Sequence, residues 1–299
     1  MSRRRLRRVR PLEVSVRRGT LVEARHRVHA VAVRGGAVVE AAGDPGLVTY
    51  LRSSAKPFQA LPLVRARPDL TSEEIAIASA SHLAQPEQLA AVRSLLARAP
   101  AEENELECGP EPTPVEHNCS GKHAGMLALC RAKGWASGGY RLGTHPVQQG
   151  CLAEVAAASD TAAAEIPTAV DGCGVLTFAL PLERMALMFS RLERLEGGRE
   201  VAAAMQAHPE LVRGPRAADT MLMRELPGWT AKGGAEGLLC AAGPDGLGVA
   251  LKVEDGSMRA MRPALAELLR RLGLETGELG IEPVANSRGE VVGEVVAER

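Results

Sequence analysis

The sequence predicts an α+β fold: one antiparallel sheet built from both termini, with a helical region inserted between them. Three observations predict it. Short alternating apolar runs fill the chain up to residue 51. Helical spacing takes over from about residue 53 to 210. Strand-like runs then return after residue 236.

The first strands read Leu12-Glu13-Val14-Ser15-Val16, then Val28-His29-Ala30-Val31-Ala32-Val33, then Ala37-Val38-Val39. Arg34-Gly35-Gly36 and Gly43-Asp44-Pro45-Gly46 supply the turns. Pro86 opens a helix over Glu87 to Ala99, with Leu89, Val92, Leu95 and Leu96 at helical spacing. Ala124 to Lys133 forms another, closed by Gly134. Pro146 opens a third that runs to about Ser159, and Leu182 to Leu192 forms a fourth. Strands are expected again at Gly237–Ala242 and Gly248–Val253, joined through Pro244-Asp245-Gly246. A helix over Pro263 to Leu272 and a strand over Glu290 to Val296 complete the chain. No repeat or long linker interrupts it. The expected organisation is a basic tail over residues 1–10 and a single domain over 11–299.

The 36 basic and 36 acidic residues balance, which argues against a polyanionic partner such as nucleic acid. Arg3, Arg4, Arg5, Arg7, Arg8 and Arg10 crowd the tail, but no apolar stretch follows them, so they read as a solvated charge run rather than a secretory signal. No segment has the roughly 20 apolar residues of a membrane span. Six cysteines without a signal sequence are expected reduced, in the cytoplasm. Only five of the 36 basic residues are lysines: Lys56, Lys122, Lys133, Lys232 and Lys252. An amine can lose its proton and act as a base or a ligand, and a guanidinium in practice cannot.

Pro57 places Ser53 to Lys56 at a helix start, where residues three apart share a face and backbone amides favour negative charge. A neutral Lys56 would then take the proton of Ser53. Ser81 follows the apolar run Ile75–Ala80, and Lys232-Gly233-Gly234 precedes a strand. Ser-x-x-Lys, a second serine and Lys-x-Gly stand in the order found in β-lactamases and penicillin-binding proteins. The asparagine expected two residues after the second serine is Leu83 here. Two thiols, Cys119 and Cys173, together with a nitrogen from Lys122 or His123, would suit zinc, and spacing alone favours His123 as the nitrogen. The alternative is two buried core cysteines.

The stretches LRSSAKPFQALPLV (51–64), ASASH (78–82), NCSGKHAGML (118–127), HPVQQ (145–149), DGCG with TFALPL (171–182), DTMLM (219–223) and KGGAEG (232–237) together resemble the asparaginase II family. The resemblance covers roughly residues 12–296. It implies a serine β-lactamase-like fold, a homodimer, and hydrolysis of L-asparagine to L-aspartate and ammonia. It makes Ser53 and Lys56 the first catalytic pair, Ser81 the second active-site serine and Lys232 the second lysine, with Lys252 as the fallback. It puts zinc on Cys119, Lys122 and Cys173, so His123 becomes a pocket neighbour. Arg52, Asn118, His123 and Asp171 are then expected around the substrate.

The chain also departs from the family pattern. Leu83-Ala84-Gln85 stands where Ser-Gly-Glu is usual, and Gln88 where histidine is usual. Glu111 and Leu176 replace a further histidine and a proline. Loss of the acidic group at Gln85 bears on substrate choice. The expected chemistry is attack by Ser53, with Lys56 as base and Ser81 and Lys232 relaying protons; Ser81 as nucleophile is the alternative. Two competing readings are a relative acting on glutamine, a peptide or a β-lactam, and a non-catalytic protein that binds zinc or a small molecule.

Overall fold

The computed structural model describes residues 10–298, so the arginines at 3–8 of the expected tail lie outside the described residues. Strands β1 (Leu12–Arg18) and β2 (Leu21–Arg34) form a hairpin, and β3 (Ala37–Ala42) folds back on β2. Leu12, Val14 and Val16 point into the core from alternate positions of β1, as the period of two requires. After β4 (Val48–Tyr50) the chain runs through short helices α1 (Lys56–Gln59), α2 (Leu61–Ala66) and α3 (Ser72–Ala78). Longer ones follow: α4 (Pro86–Arg98), α5 (Ser120–Lys133) and α6 (Pro146–Ser159). Strands β5 (Thr168–Val170) and β6 (Leu176–Pro181) precede α7 (Leu182–Ser190), α8 (Gly198–Ala207), α9 (Pro209–Val212) and α10 (Ala218–Glu225). The chain then returns to the main sheet through β7 (Thr230–Gly233), β8 (Leu238–Gly243) and β9 (Leu247–Val253), adds α11 (Met261–Arg271), and ends with β10 (Ile281–Ala285) and β11 (Val291–Ala297).

The main sheet has the order β10-β11-β1-β2-β9-β8-β7, with β3 also on β2, and its pairs are antiparallel. Val14 of β1 faces Ala297 of β11, so the two ends of the chain close one sheet, as expected from the sequence. Helix α7 lies directly on β9: a Cβ at Gly248 would sit 1.9 Å from the carbonyl oxygen of Ala186. Only glycine permits that approach. Strand β7 ends the order, and α10 packs beside it.

The section expected to be helical also holds two strands, β5 and β6, which join β4 in a small sheet of order β4-β6-β5. Two of its strands have three residues each, too few for an alternation to show. This corrects the purely helical reading of residues 53–210. The sheet matters for function because β6 anchors the site: Leu51 N–H donates to Phe178 O, and Arg52 N–H to Thr177 Oγ1. Among the described residues, no helix is long and apolar enough to cross a membrane.

Candidate active site

Four segments converge at the edge strand β7. The first is the turn out of β4. Arg52 has φ +48°, a left-handed conformation that costs a non-glycine residue energy and sharply redirects the chain. A 3-10 turn follows over Arg52–Ala55, and α1 begins at Lys56 with Pro57 in its first turn. In a 3-10 turn, residues three apart eclipse, so Ser53 and Lys56 leave the backbone on one side. Ser53 is half-buried, whereas Ser54 and Lys56 are buried.

The second segment is β7 itself. The Ser54 hydroxyl donates to Lys232 O at 2.8 Å, tying the turn to the strand. A Cβ at Gly234 would lie 2.8 Å from Leu51 O, so the Lys-Gly-Gly sequence is what lets the two backbones touch. The third is the end of α3. Ser81 N–H donates to Val212 O, and Lys56 Nζ lies 2.9 Å from Ser81 Oγ and also donates to Ala80 O. The fourth is the start of α5, brought against α3 by Gly121, whose Cβ would lie 2.2 Å from Ile77 O.

Two amines are therefore buried in one site. Burial pushes Lys56 below the ordinary lysine range, and Lys122 adds to this while Cys119 opposes it. Burial also pulls Lys232 down to about 7, Asp219 resisting and Lys56 and Arg213 assisting. Lys232 Nζ stands 3.6 Å from Asp219 Oδ2 and donates to Gly233 O. Asp219 is itself buried and accepts from Gly233 N–H at 2.8 Å and Thr220 N–H at 3.1 Å. Burial raises its carboxyl, but Lys232, Arg213 and those two N–H groups outweigh it and keep the carboxyl below the usual range.

Cys119, Lys122 and Cys173 meet beside this pair. Lys122 Nζ lies 3.0 Å from Cys173 Sγ, and Cys119 is buried close enough to both to shift them. The Cys173 neighbour, with Lys56 and Lys122 assisting and burial opposing, pulls the Cys119 thiol down, and Cys119 together with burial pushes the Cys173 thiol up. Burial alone would lower Lys122, but Cys173 and Cys119 raise it above its ordinary value. The cluster thus sets one lowered thiol and one raised thiol against an amine held above its ordinary value. Two sulfurs and one amine, all buried and touching, fit a borderline-soft ion such as zinc. Among the described residues, no group of three or more His, Cys, Asp and Glu side chains converges to hold a metal, so a set here depends on the lysine.

His123 stands just behind. Its Nδ1 is 2.8 Å from the Tyr140 hydroxyl, which accepts from Glu107 N–H and so has its own proton free for Nδ1. That arrangement leaves the His123 proton on Nε2, a buried position without a partner. A protonated Nε2 cannot ligate a metal, which weighs against His123 as the nitrogen ligand. On the open side, Arg52 Nε meets Asp171 Oδ1 at 2.5 Å. Asp171 belongs to a tight turn, with Gly174 at φ +86°, that also carries Cys173.

Residues 14–297 match the L-asparaginase II family over nearly the whole chain. The chain belongs to this family of amidohydrolases. No curated protein matches it by sequence. Among solved structures it is similar to Mglu in its native form in 4.3 M NaCl, at 13% identity and a TM-score of 0.42, covering 84% of this chain and 62% of that one. It is also similar to a probable glutaminase from Bacillus subtilis complexed with 6-diazo-5-oxo-L-norleucine, at 14% identity and a TM-score of 0.40, covering 83% and 84%. The chain therefore spans less than two thirds of Mglu.

In this member of the L-asparaginase II family, the Ser53–Lys56 turn, Ser81 and Lys232 come from three segments to one place, and Cys119 and Lys122 at the α5 start meet Cys173 from the Asp171 turn. Lys252 does not join them: it is half-buried on β9 opposite His29 and donates to Val253 O. Asn118 is exposed, and its carbonyl accepts from His82 N–H. Lys56 hydrogen-bonds Ser81, and among the described residues no hydrogen bond joins it to Ser53. Gln88 is a fastener: its Oε1 accepts from Leu83 and Gln85 N–H, and its Nε2 donates to Glu210 O and Arg213 O. Gln85 is exposed and caps α4. The sequence reading missed Asp219 as a site residue. Its signal was there, at the head of the matching stretch DTMLM.

Proposed function

We propose that the protein hydrolyses L-asparagine to L-aspartate and ammonia through a serine–lysine acyl-enzyme, on a serine β-lactamase-like fold. The observation that carries this reading is the buried Lys56 amine held 2.9 Å from Ser81 Oγ, with the second depressed amine, Lys232, beside it. A serine hydroxyl gains nucleophilicity when a neutral amine can accept its proton. The β-lactamase-like layout is supported by the helix-start Ser53/Lys56 pair, the serine after α3 and the Lys-Gly-Gly edge strand.

In the forward step a serine oxygen bonds to the side-chain carbonyl carbon of asparagine, and its proton passes to Lys56. The C–N bond then breaks as a proton reaches the leaving nitrogen through Ser81 and Lys232, and ammonia departs. Water hydrolyses the ester and restores the serine. Arg52 and Asp171 form an ion pair of opposite charges at the open side, matched to the α-carboxylate and α-ammonium of a zwitterionic amino acid. Asn118 and the free Nε2–H of His123 supply further donors. Cys119, Lys122 and Cys173 would hold zinc, which when bound supplies a fixed positive charge that draws the α5 start and the Asp171 turn together.

Two nucleophile assignments follow from one geometry. Ser53 stands one 3-10 turn before Lys56 and is half-buried. Ser81 is favoured by the hydrogen bond itself. Rapid acid quench of the acyl-enzyme and peptide mapping separates them. The exposed Gln85, where an acidic residue is usual, supports a second reading in which glutamine or another amide is preferred. Ammonia release from asparagine, glutamine, a short peptide amide and a β-lactam decides between these, and no turnover of any would leave the non-catalytic binding protein. The reading extends to a cytoplasmic homodimer, which light scattering tests for mass.

A further inference from the structure

Next to Asp219, four arginines gather without a salt bridge. Arg213, Arg216, Arg259 and Arg262 line a cavity of about 200 Å3, with Asp219 in its wall. Among the described residues, none of the four makes a salt bridge, although 23 such bridges occur elsewhere in the chain. Arg262 is only 6% exposed, its Nε has no partner, and its Nη2 is fixed by Glu278 O and Ile281 O. Arg259 is aimed by a relay: its Nε donates to His26 Nε2, and His26 Nδ1 in turn lies 2.6 Å from Asp255. The cavity adjoins a larger groove of about 610 Å3, shared through Arg216 and Arg262 and flanked by Met221, Ile281 and Pro283. One carboxyl, Glu282, also lines the smaller cavity, and burial raises it despite the arginines.

We propose that this arginine-lined cavity is a second binding site, separate from the amidase site, for a small molecule carrying a carboxylate or phosphate oxyanion. Guanidiniums without salt bridges around one small space, two of them held by hydrogen bonds, are donors set for an oxyanion, and a buried Nε–H without an acceptor is a cost that a bound oxygen removes. The adjoining groove gives room for an apolar body behind the charged head. Because Arg213 and Asp219 line this cavity and also act on Lys232, occupancy here reaches that amine through its neighbours.

Titration calorimetry of the whole protein at low ionic strength tests this, with inorganic phosphate in one arm and malonate in the other. Binding of either, at one site per chain, is expected, and the arm that binds tighter identifies the source. Arg216→Gln and Arg259→Gln are exposed changes and should each weaken that binding about tenfold or more. Arg288→Gln, far from the cavity lining, should leave it unchanged. Saturating asparagine should not displace the anion. Failure of both anions to bind, an equal loss in Arg288→Gln, or no loss in the cavity variants overturns the proposal. Displacement by asparagine also overturns it, since the cavity would then be part of the substrate site. Anion binding does not depend on turnover, so a protein that binds phosphate but releases no ammonia would refute the amidase reading and leave this one standing.

Discussion

Asp219→Asn should move the protonation of Lys232 by several pH units. In the native protein Lys232 titrates at about 7, because burial outweighs the opposing pull of Asp219. At 3.6 Å and an effective dielectric of about 20, the carboxylate favours the ammonium by about 4–5 kcal/mol, or ~3 pH units. Removing that charge should carry Lys232 from about 7 to ~4. Both Asp219 oxygens accept backbone N–H groups, and an asparagine can satisfy only one of them, so a stability loss of ~1–3 kcal/mol should accompany the shift. In the unfolded chain Lys232 titrates near 10.5, so between about 7 and 10.5 the folded protein binds fewer protons, and rising pH stabilises it. Below 7 both states are protonated and the buried charge exacts its full penalty; in the variant that boundary moves to lower pH. With five lysines in the chain, NMR of lysine labelled at Cε gives few signals, and Lys232→Met assigns the relevant one. A native Lys232 signal titrating near 10, or one unmoved by Asp219→Asn, would refute the argument that burial and Asp219 set this amine.

Lys56→Ala should lower kcat for ammonia release by at least ~100-fold with the fold intact, since general-base contributions are of about that size; loss of less than about tenfold would remove Lys56 as the base. Native kcat/KM should rise from pH 6 to 9 as the depressed amines lose their protons, and a maximum near pH 5 would point to a carboxylate base instead. Purified protein should carry one zinc per chain by elemental analysis, released more readily in acid as protons return to two sulfurs and an amine. Cys173→Ser should raise KM or lower stability more than it lowers kcat; loss of kcat alone on chelation would show that the metal joins the chemical step. Ala84 has φ +56°, where the family usually has glycine, so Ala84→Gly should stabilise by up to ~1 kcal/mol in urea unfolding; a loss of stability would show that the strain is not there.

Strong periodicity made most of the fold legible. Helices α4, α5 and α6 and the β8–β9 hairpin lie within a residue or a few of where apolar spacing, proline starts and glycine stops put them. What stayed hidden was set by tertiary contact. Strands β4 and β5 have three residues each and exist because β6 lies between them. Strand β7 carries no strand pattern in the sequence and is one because it pairs with β8, with Gly233 close to Asp219. In the site, spacing pairs Ser53 with Lys56, but it cannot show that Lys56 reaches across to Ser81, because that partner comes from the far end of α3. Spacing also favoured His123 over Lys122 as the nitrogen beside the thiols. Only the Tyr140 hydroxyl, 17 residues on, shows which His123 nitrogen carries the proton.

The lysine distribution now has a physical account. Arginine supplies nearly every positive charge in the chain, and the residual lysines divide by burial. Lys133 is exposed and Lys252 half-buried, but Lys56, Lys122 and Lys232 are 1%, 3% and 0% exposed. Those three sit in the three motifs that meet at β7. A guanidinium there would remain charged whatever its surroundings, and an unpaired buried charge is severely destabilising. An amine has another course open to it: it can give up its proton. Lys56 and Lys232 are driven toward that neutral form by burial, which is the form a base must have. Lys122 goes the other way and keeps its proton against Cys119 and Cys173. Arginine at any of the three would therefore be a change of chemistry even where its charge fitted. Lys56→Arg should abolish amidase activity as fully as Lys56→Ala, whereas Lys133→Arg should leave it unchanged. If Lys56→Arg kept native activity, the amine's proton would play no part, and the serine–lysine assignment would fall with it.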